Sequence, residues 1–271
     1  MSFKETIIET TSISDIPFAE YNQRQLYEVT AGRNRERAIS AKPSGNFYYV
    51  DNCWHPNEYE GYAVITMLSD NDKNEPLTAR ISQIQTELHY NLTPRHAFYL
   101  LPPESFHQTV ANTLSAGRFK EHILNAGLVD TFPAMVGSAF NKIDTQGSIA
   151  PIKMKMVGLS IFGTAIGMLG VFENERDYGR ITHFRTGFYG NADLAKLDVK
   201  MTRPFIGHVT IGYIEHELTK NQKEHLASVV NEINESLNAE ENYFYISSTD
   251  LRRYHHLAEY KVQDNYPSKL L

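Results

Sequence analysis

Two segments about a hundred residues apart limit what this chain can fold into. Residues 105–114 (SFHQTVANTL) and 206–214 (IGHVTIGYI) are rich in β-branched residues, and each carries a histidine, a threonine two places on, and an aliphatic residue after that. Both read as β-strands. Successive strand side chains alternate faces, so His107 and Thr109 project to one side, about 6.6 Å apart along the strand, and His208 and Thr210 do the same in the second segment. The same parity puts Phe106 and Tyr213 on the opposite face from the histidines. Two such strands side by side offer two proton carriers and two hydroxyl donors to one pocket.

Chance sets the weight of this pattern. Among 271 residues with 11 histidines and 19 threonines, roughly 0.8 His-x-Thr triplets arise at random. Requiring Val, Ile or Leu next lowers the expectation to roughly 0.15. The pair therefore carries information that one copy lacks.

Around the motifs, strand and helix signals alternate. Residues 46–50, 61–68, 97–101, 152–162, 165–172, 243–248 and 257–262 join the two motif segments as predicted strands, with Gly163 in a turn between the fourth and fifth of these. Leu77, Ile81, Ile84 and Leu88 recur at helical spacing over residues 76–90. Residues 116–142 read as mostly helical, broken near Gly127 and Pro133, and 173–198 as a helix with a break around 187–190. Thr219 and Gln222 form a capping-box pattern before the apolar stripe Leu226, Val229, Val230, Ile233 and Leu237. Residues 1–40, polar and rich in Thr, Ser, Glu and Arg, read as an N-terminal extension, partly helical around 20–29, ahead of a single domain over 41–271.

Composition narrows the function classes. A net charge of −6 argues against a large nucleic-acid footprint, DNA in particular, because backbone-phosphate binding is built from clustered Lys and Arg. Local positive candidates are Lys153 with Lys155, Lys200 with Arg203, and Arg252 with Arg253. No apolar run reaches the roughly 18 residues of a membrane span, and the single cysteine, Cys53, fits a reducing compartment. The expectation is a cytoplasmic protein with no membrane partner. Cys53 and His55 with His255 and His256 lack the spacing of a zinc site, so no metal or cofactor is expected. The glycines of 158–170 do not spell a phosphate loop, and no G-x-S-x-G elbow is present.

At His107-x-Thr109 and His208-x-Thr210 the chain resembles the 2H phosphoesterase superfamily, the LigT-like proteins. That resemblance implies an α+β bilobal fold, with two antiparallel sheets around a central cleft and helices on the outside. It implies metal-independent cleavage of phosphodiesters, often 2′,3′-cyclic or 1″,2″-cyclic phosphates or 2′-5′ linkages. His107 and His208 would be the catalytic acid and base, in an order the sequence leaves open, and Thr109 and Thr210 would bind the phosphate. Gln108 departs from the pattern, since an inward apolar residue is commoner there. Histidine suits both proton transfers, because its ordinary pKa near 6.5 lets one ring be neutral while the other is charged. Tyr48, Tyr62, Phe106, Phe205 and Tyr213 are aromatic candidates for stacking a base, the parity argument counting against Phe106 and Tyr213. The leading expectation is a phosphodiesterase for a small nucleotide. RNA-end processing or ligation, and a nucleotide- or RNA-binding module without turnover, are the alternatives.

Overall fold

A computed structural model describes residues 13–144, 150–237 and 241–271. The first twelve residues of the expected extension, and residues 145–149 between the motifs, lie outside the described residues. In chain order the elements are α1 (Phe18–Glu28), α2 (Ala31–Ile39), β1 (Phe47–Val50), β2 (Cys53–Pro56), β3 (Gly61–Met67), α3 (Glu75–Asn91), β4 (Phe98–Leu100) and β5 (His107–Ser115). They continue with α4 (Ala116–Phe119), α5 (Phe132–Lys142), β6 (Ile152–Ile161), β7 (Ala165–Phe172), α6 (Glu175–Tyr189), α7 (Ala192–Ala195) and β8 (His208–Ile214). The chain closes with α8 (Lys220–Leu237), β9 (Asn242–Ile246), β10 (Ser248–His256), β11 (Glu259–Lys261) and β12 (Ser268–Leu270).

The strands form two antiparallel five-stranded sheets and one hairpin, a mixed α/β architecture. One sheet runs β11-β10-β3-β5, with β12 also on β10; the other runs β4-β8-β7-β6-β9; β1 and β2 pair separately. Strand β3 is buried at every position, which requires cover on both faces. Tyr62 and Val64 enter the main core, while Ala63, Ile65 and Met67 form a second, smaller cluster with Tyr254. That second cluster lines the face on which the first motif sits.

Local signals explain most elements. Helix α8 starts with the expected capping box, Thr219 N–H donating to Gln222 Oε1 (2.8 Å), and its apolar stripe is buried. Pro133 sits in the first turn of α5 and starts that helix instead of breaking it, as its missing N–H allows. The break expected near 187–190 falls at Gly190, where Asn191 caps α7.

Two regions differ from expectation. Residues 249–256 carry the strand β10, central to the first sheet, where the run of Arg and His gives no apolar signal. The described part of residues 1–40 is two helices packed into the main core, with Tyr21 and Ala38 buried there. Their polar composition conceals how many of these side chains bond buried backbone. Among the described residues, no helix is long and apolar enough to cross a membrane.

Candidate active site

The two motif strands sit at the same register in their sheets. His107 is opposite Met67 of β3 and Thr109 opposite Ile65; His208 is opposite Leu169 of β7 and Thr210 opposite Gly167. Immediately afterwards each strand carries a bulge. Val64 pairs with Ala111, leaving Val110 as the extra residue, and Ile166 pairs with Gly212, leaving Ile211 extra. A bulge adds one residue on one strand and so inverts the alternation beyond it. Asn112 is therefore returned to the face of His107 and Thr109, and Tyr213 to the face of His208 and Thr210. Both positions are half-buried, as the four motif residues are. This corrects the parity argument for Tyr213, which needs an unbroken strand. Phe106, outside the bulge, is fully buried as expected.

Each imidazole is held by the same device. His107 Nδ1 lies 2.7 Å from the Ser105 carbonyl and His208 Nδ1 lies 2.9 Å from the Ile206 carbonyl, two residues upstream in both cases. A carbonyl can only accept, so Nδ1 carries the proton and Nε2 keeps its lone pair. Burial holds both rings down at about 4, against the upward pull of these carbonyls. The Arg252 guanidinium adds to the lowering at His107, and Arg203 and His107 do so at His208. The two motif strands adjoin, since the side chain of Gln108, next to His107, accepts the His208 N–H. Among the described residues neither Thr109 nor Thr210 uses its hydroxyl in a hydrogen bond, which leaves both free to donate.

These shifts have a consequence for stability. An unfolded histidine takes up its proton near 6.5, whereas each folded ring does so only near 4. Between these values the unfolded chain binds more protons, so stability falls as pH falls, by about 1.4 kcal/mol per pH unit for each ring. Urea midpoints should drop from pH 7 to pH 4.5. They should drop less in the double variant His107→Asn, His208→Asn.

The surroundings of the two histidines differ. Tyr260 lies over His107, ring centroids 4.3 Å apart, and packs on Tyr254 at 5.3 Å, which in turn stacks on Tyr59 at 6.3 Å. With Ala63, Ile65 and Met67 beneath, this is an aromatic compartment. On the other side Phe162 meets His208 edge-on at 5.4 Å. It occupies the space over Gly167, where a Cβ would fall 2.5 Å from the Phe162 ring. Arg203, five residues before His208, is solvent-exposed and has no carboxylate partner among the described residues.

Of the other sequence candidates, Arg252 lies on the His107 face and the rest fall elsewhere. Arg252 pairs with Asp70 (2.8 Å) and Asp250 (3.3 Å) on the His107 face, Arg253 with Glu60, Lys153 with Glu173 and Lys200 with Asp198. Lys155 lies on β6. Tyr62 and Phe205 are core residues, and Tyr48 is exposed on the β1–β2 hairpin. Among the described residues, no three His, Cys, Asp or Glu side chains gather as a metal site.

The supports behind the motifs escape sequence reasoning. Arg185 is buried in α6 and donates to Asp15 (2.8 Å), to the carbonyl of the bulge residue Val110 (2.6 Å) and to the Arg203 carbonyl (3.0 Å). Asp15 also accepts the Phe205 N–H at 2.5 Å. From α1, the Tyr21 hydroxyl donates to the Gly170 carbonyl (2.7 Å) and accepts the Gly207 N–H (3.1 Å). The N-terminal residues thus brace the segment that presents His208.

No protein-family model matches this sequence, and no curated protein matches it. Among solved structures, the fold is similar to that of a conserved protein of unknown function from Agrobacterium tumefaciens strain C58. That match has a TM-score of 0.52 and 16% identity, over 77% of this chain and 86% of the other. A second solved structure, the TT0787 protein of Thermus thermophilus, aligns with a TM-score of 0.41 and 13% identity, over 79% of this chain and 95% of that one.

Proposed function

We propose that the protein is a metal-independent phosphodiesterase for a small nucleotide-like substrate, with the two sheets serving as the lobes of a LigT-like fold. The observation that carries this reading is the repeated His-x-Thr unit. It has the same register, the same following bulge and the same Nδ1-to-carbonyl bond, with all four side chains turned to one face of each strand. Nothing in folding stability requires two half-buried imidazoles with idle Nε2 atoms, and strongly shifted pKa values cluster at functional sites.

In this mechanism one Nε2 removes the proton from an attacking water and the other ring delivers a proton to the leaving oxygen. Thr109 and Thr210 donate to the non-bridging phosphate oxygens, and Arg203 adds positive charge beside His208. The substrate's negative charge favours protonation of one ring, restoring the acid that burial withholds from the free protein. The aromatic compartment around Tyr260 receives the base by stacking. A 2′,3′-cyclic phosphate bound in that direction turns its ribose oxygen toward His107. His107 then acts as the acid and His208 as the base.

A specific observation favours RNA ends as a second reading. Phe47 stacks on Tyr99 and packs tilted against the site residue Tyr213, and the exposed Tyr49, two residues on along the same strand face, extends a surface on which further bases can stack. The test is a panel of 2′,3′-cyclic nucleotides, 2′-5′ and 3′-5′ dinucleotides and short RNAs, assayed with EDTA. Turnover of mononucleotides supports the first reading, turnover of RNA alone the second. Binding without turnover, or activity abolished by EDTA, overturns the proposal.

A further inference from the structure

The internal symmetry of the two motifs breaks at one position. The residue between His208 and Thr210 is Val209, fully buried and apolar; its counterpart between His107 and Thr109 is Gln108, equally buried but polar. A buried amide must have its hydrogen bonds met, and Gln108 finds them on the other sheet. Its Oε1 accepts the His208 backbone N–H at 2.6 Å, while Nε2 donates to the Ile206 carbonyl at 3.1 Å and to the Thr109 carbonyl at 2.6 Å. The partners determine the orientation of the amide, since a backbone N–H needs an oxygen and two carbonyls need the NH2.

We infer that Gln108 is a positioning residue, which sets the separation and orientation of the two imidazoles by tying the first motif strand to the backbone on either side of His208. The inference rests on the phosphodiesterase reading. Strand β5 is an edge of its sheet and shares no ladder with β8, so Gln108 supplies a direct polar link where backbone pairing does not. The tie reaches the ring itself, because the Ile206 carbonyl that takes the Gln108 N–H is also the acceptor for His208 Nδ1. That carbonyl divides its acceptor strength between an amide and an imidazole. Among the described residues His107 has no such competitor at the Ser105 carbonyl.

The test compares Gln108→Leu with Gln108→Glu. Leucine keeps the volume and suits a buried strand position; it removes all three bonds. The expected result is a loss of about 100-fold in kcat, with KM changed less than about threefold, the size of effect that a small misplacement of reacting groups causes. With the amide gone, the Ile206 carbonyl bonds Nδ1–H more strongly, and the His208 titration moves upward while that of His107 stays. Among the described residues the charged or titratable groups facing His208 are Arg203, His107 and, further along the same strand face, Tyr213, and the Phe162 ring beside it is uncharged. Both titrations are read from imidazole resonances by NMR, which needs no turnover. An inactive wild-type protein would thus overturn the phosphodiesterase reading while the NMR arm still decides on Gln108.

Glutamate in its neutral form keeps an acceptor for the His208 N–H and one O–H donor, which serves one of the two carbonyls. Its ionised form has no donor for the Ile206 or Thr109 carbonyl. Gln108→Glu should exceed Gln108→Leu in kcat by at least about tenfold at acid pH and lose that advantage as the carboxyl ionises. A folded Gln108→Leu protein with wild-type kcat and an unmoved His208 titration overturns the inference. So does a Gln108→Glu protein equal to Gln108→Leu at every pH.

Discussion

His107→Ala and His208→Ala should each lower kcat by about a thousandfold, the size of effect general acid–base catalysis supplies, with circular dichroism and melting close to wild type. Both rings are half-buried at a strand face, so their loss leaves little cavity. The two variants are expected to part when the leaving oxygen is replaced by sulfur. A thiolate departs without a proton, so His107→Ala should regain most of its activity on such a substrate and His208→Ala should not. The expectation follows from the position of the aromatic compartment, built on Tyr260 against His107, which turns the ribose toward that ring. Recovery of His208→Ala instead would reverse the two roles. Equal failure of both would remove the leaving-group assignment.

Arg185→Met should destabilise the protein by about 3–5 kcal/mol, the usual result of removing one partner of a buried ion pair and leaving the other charge unpaired. At this chain length that corresponds to a fall of roughly 10 °C in Tm. The side chain of Arg185 is 4% exposed and that of Asp15 is 6% exposed, so solvent cannot compensate the stranded carboxylate. The guanidinium also satisfies the carbonyls of Val110 and Arg203, which belong to the two motif regions. The double variant Asp15→Leu, Arg185→Met should recover part of the loss, because no charge is then left buried. A melting temperature unchanged in Arg185→Met would show that the clamp contributes nothing to stability.

How far the sequence reaches depends on distance along the chain. The faces of His107, Thr109, His208 and Thr210 follow from the two-residue period of a strand, a local property that holds as long as the strand is unbroken. Tyr213 lies beyond the bulge at Ile211, and the extra residue exists only because β7 pairs with β8 in that register. Strand β10 is hidden for a related reason. Arg252 and Arg253 read as solvated charge, yet Asp70, Asp250 and Glu60 neutralise them while Leu251 and Tyr254 are buried. Asp70 and Glu60 lie 182 and 193 positions away, and Asp250, two residues before Arg252, adds no apolar signal.

The sequence by itself determined the motif strands, the facing of their four site residues, the helix over 220–237 and the apolar stripes of that helix and of α3. All of these depend on side-chain period and end signals within a few residues. Tertiary structure alone decided that polar N-terminal residues such as Asp15 and Tyr21 brace the second motif, that a tyrosine compartment forms over His107, and that Gln108 spans the two sheets. Each of these is a hydrogen bond or ring contact between residues up to 190 positions apart, and such a pairing leaves no trace in local periodicity because neither partner's neighbours need to differ.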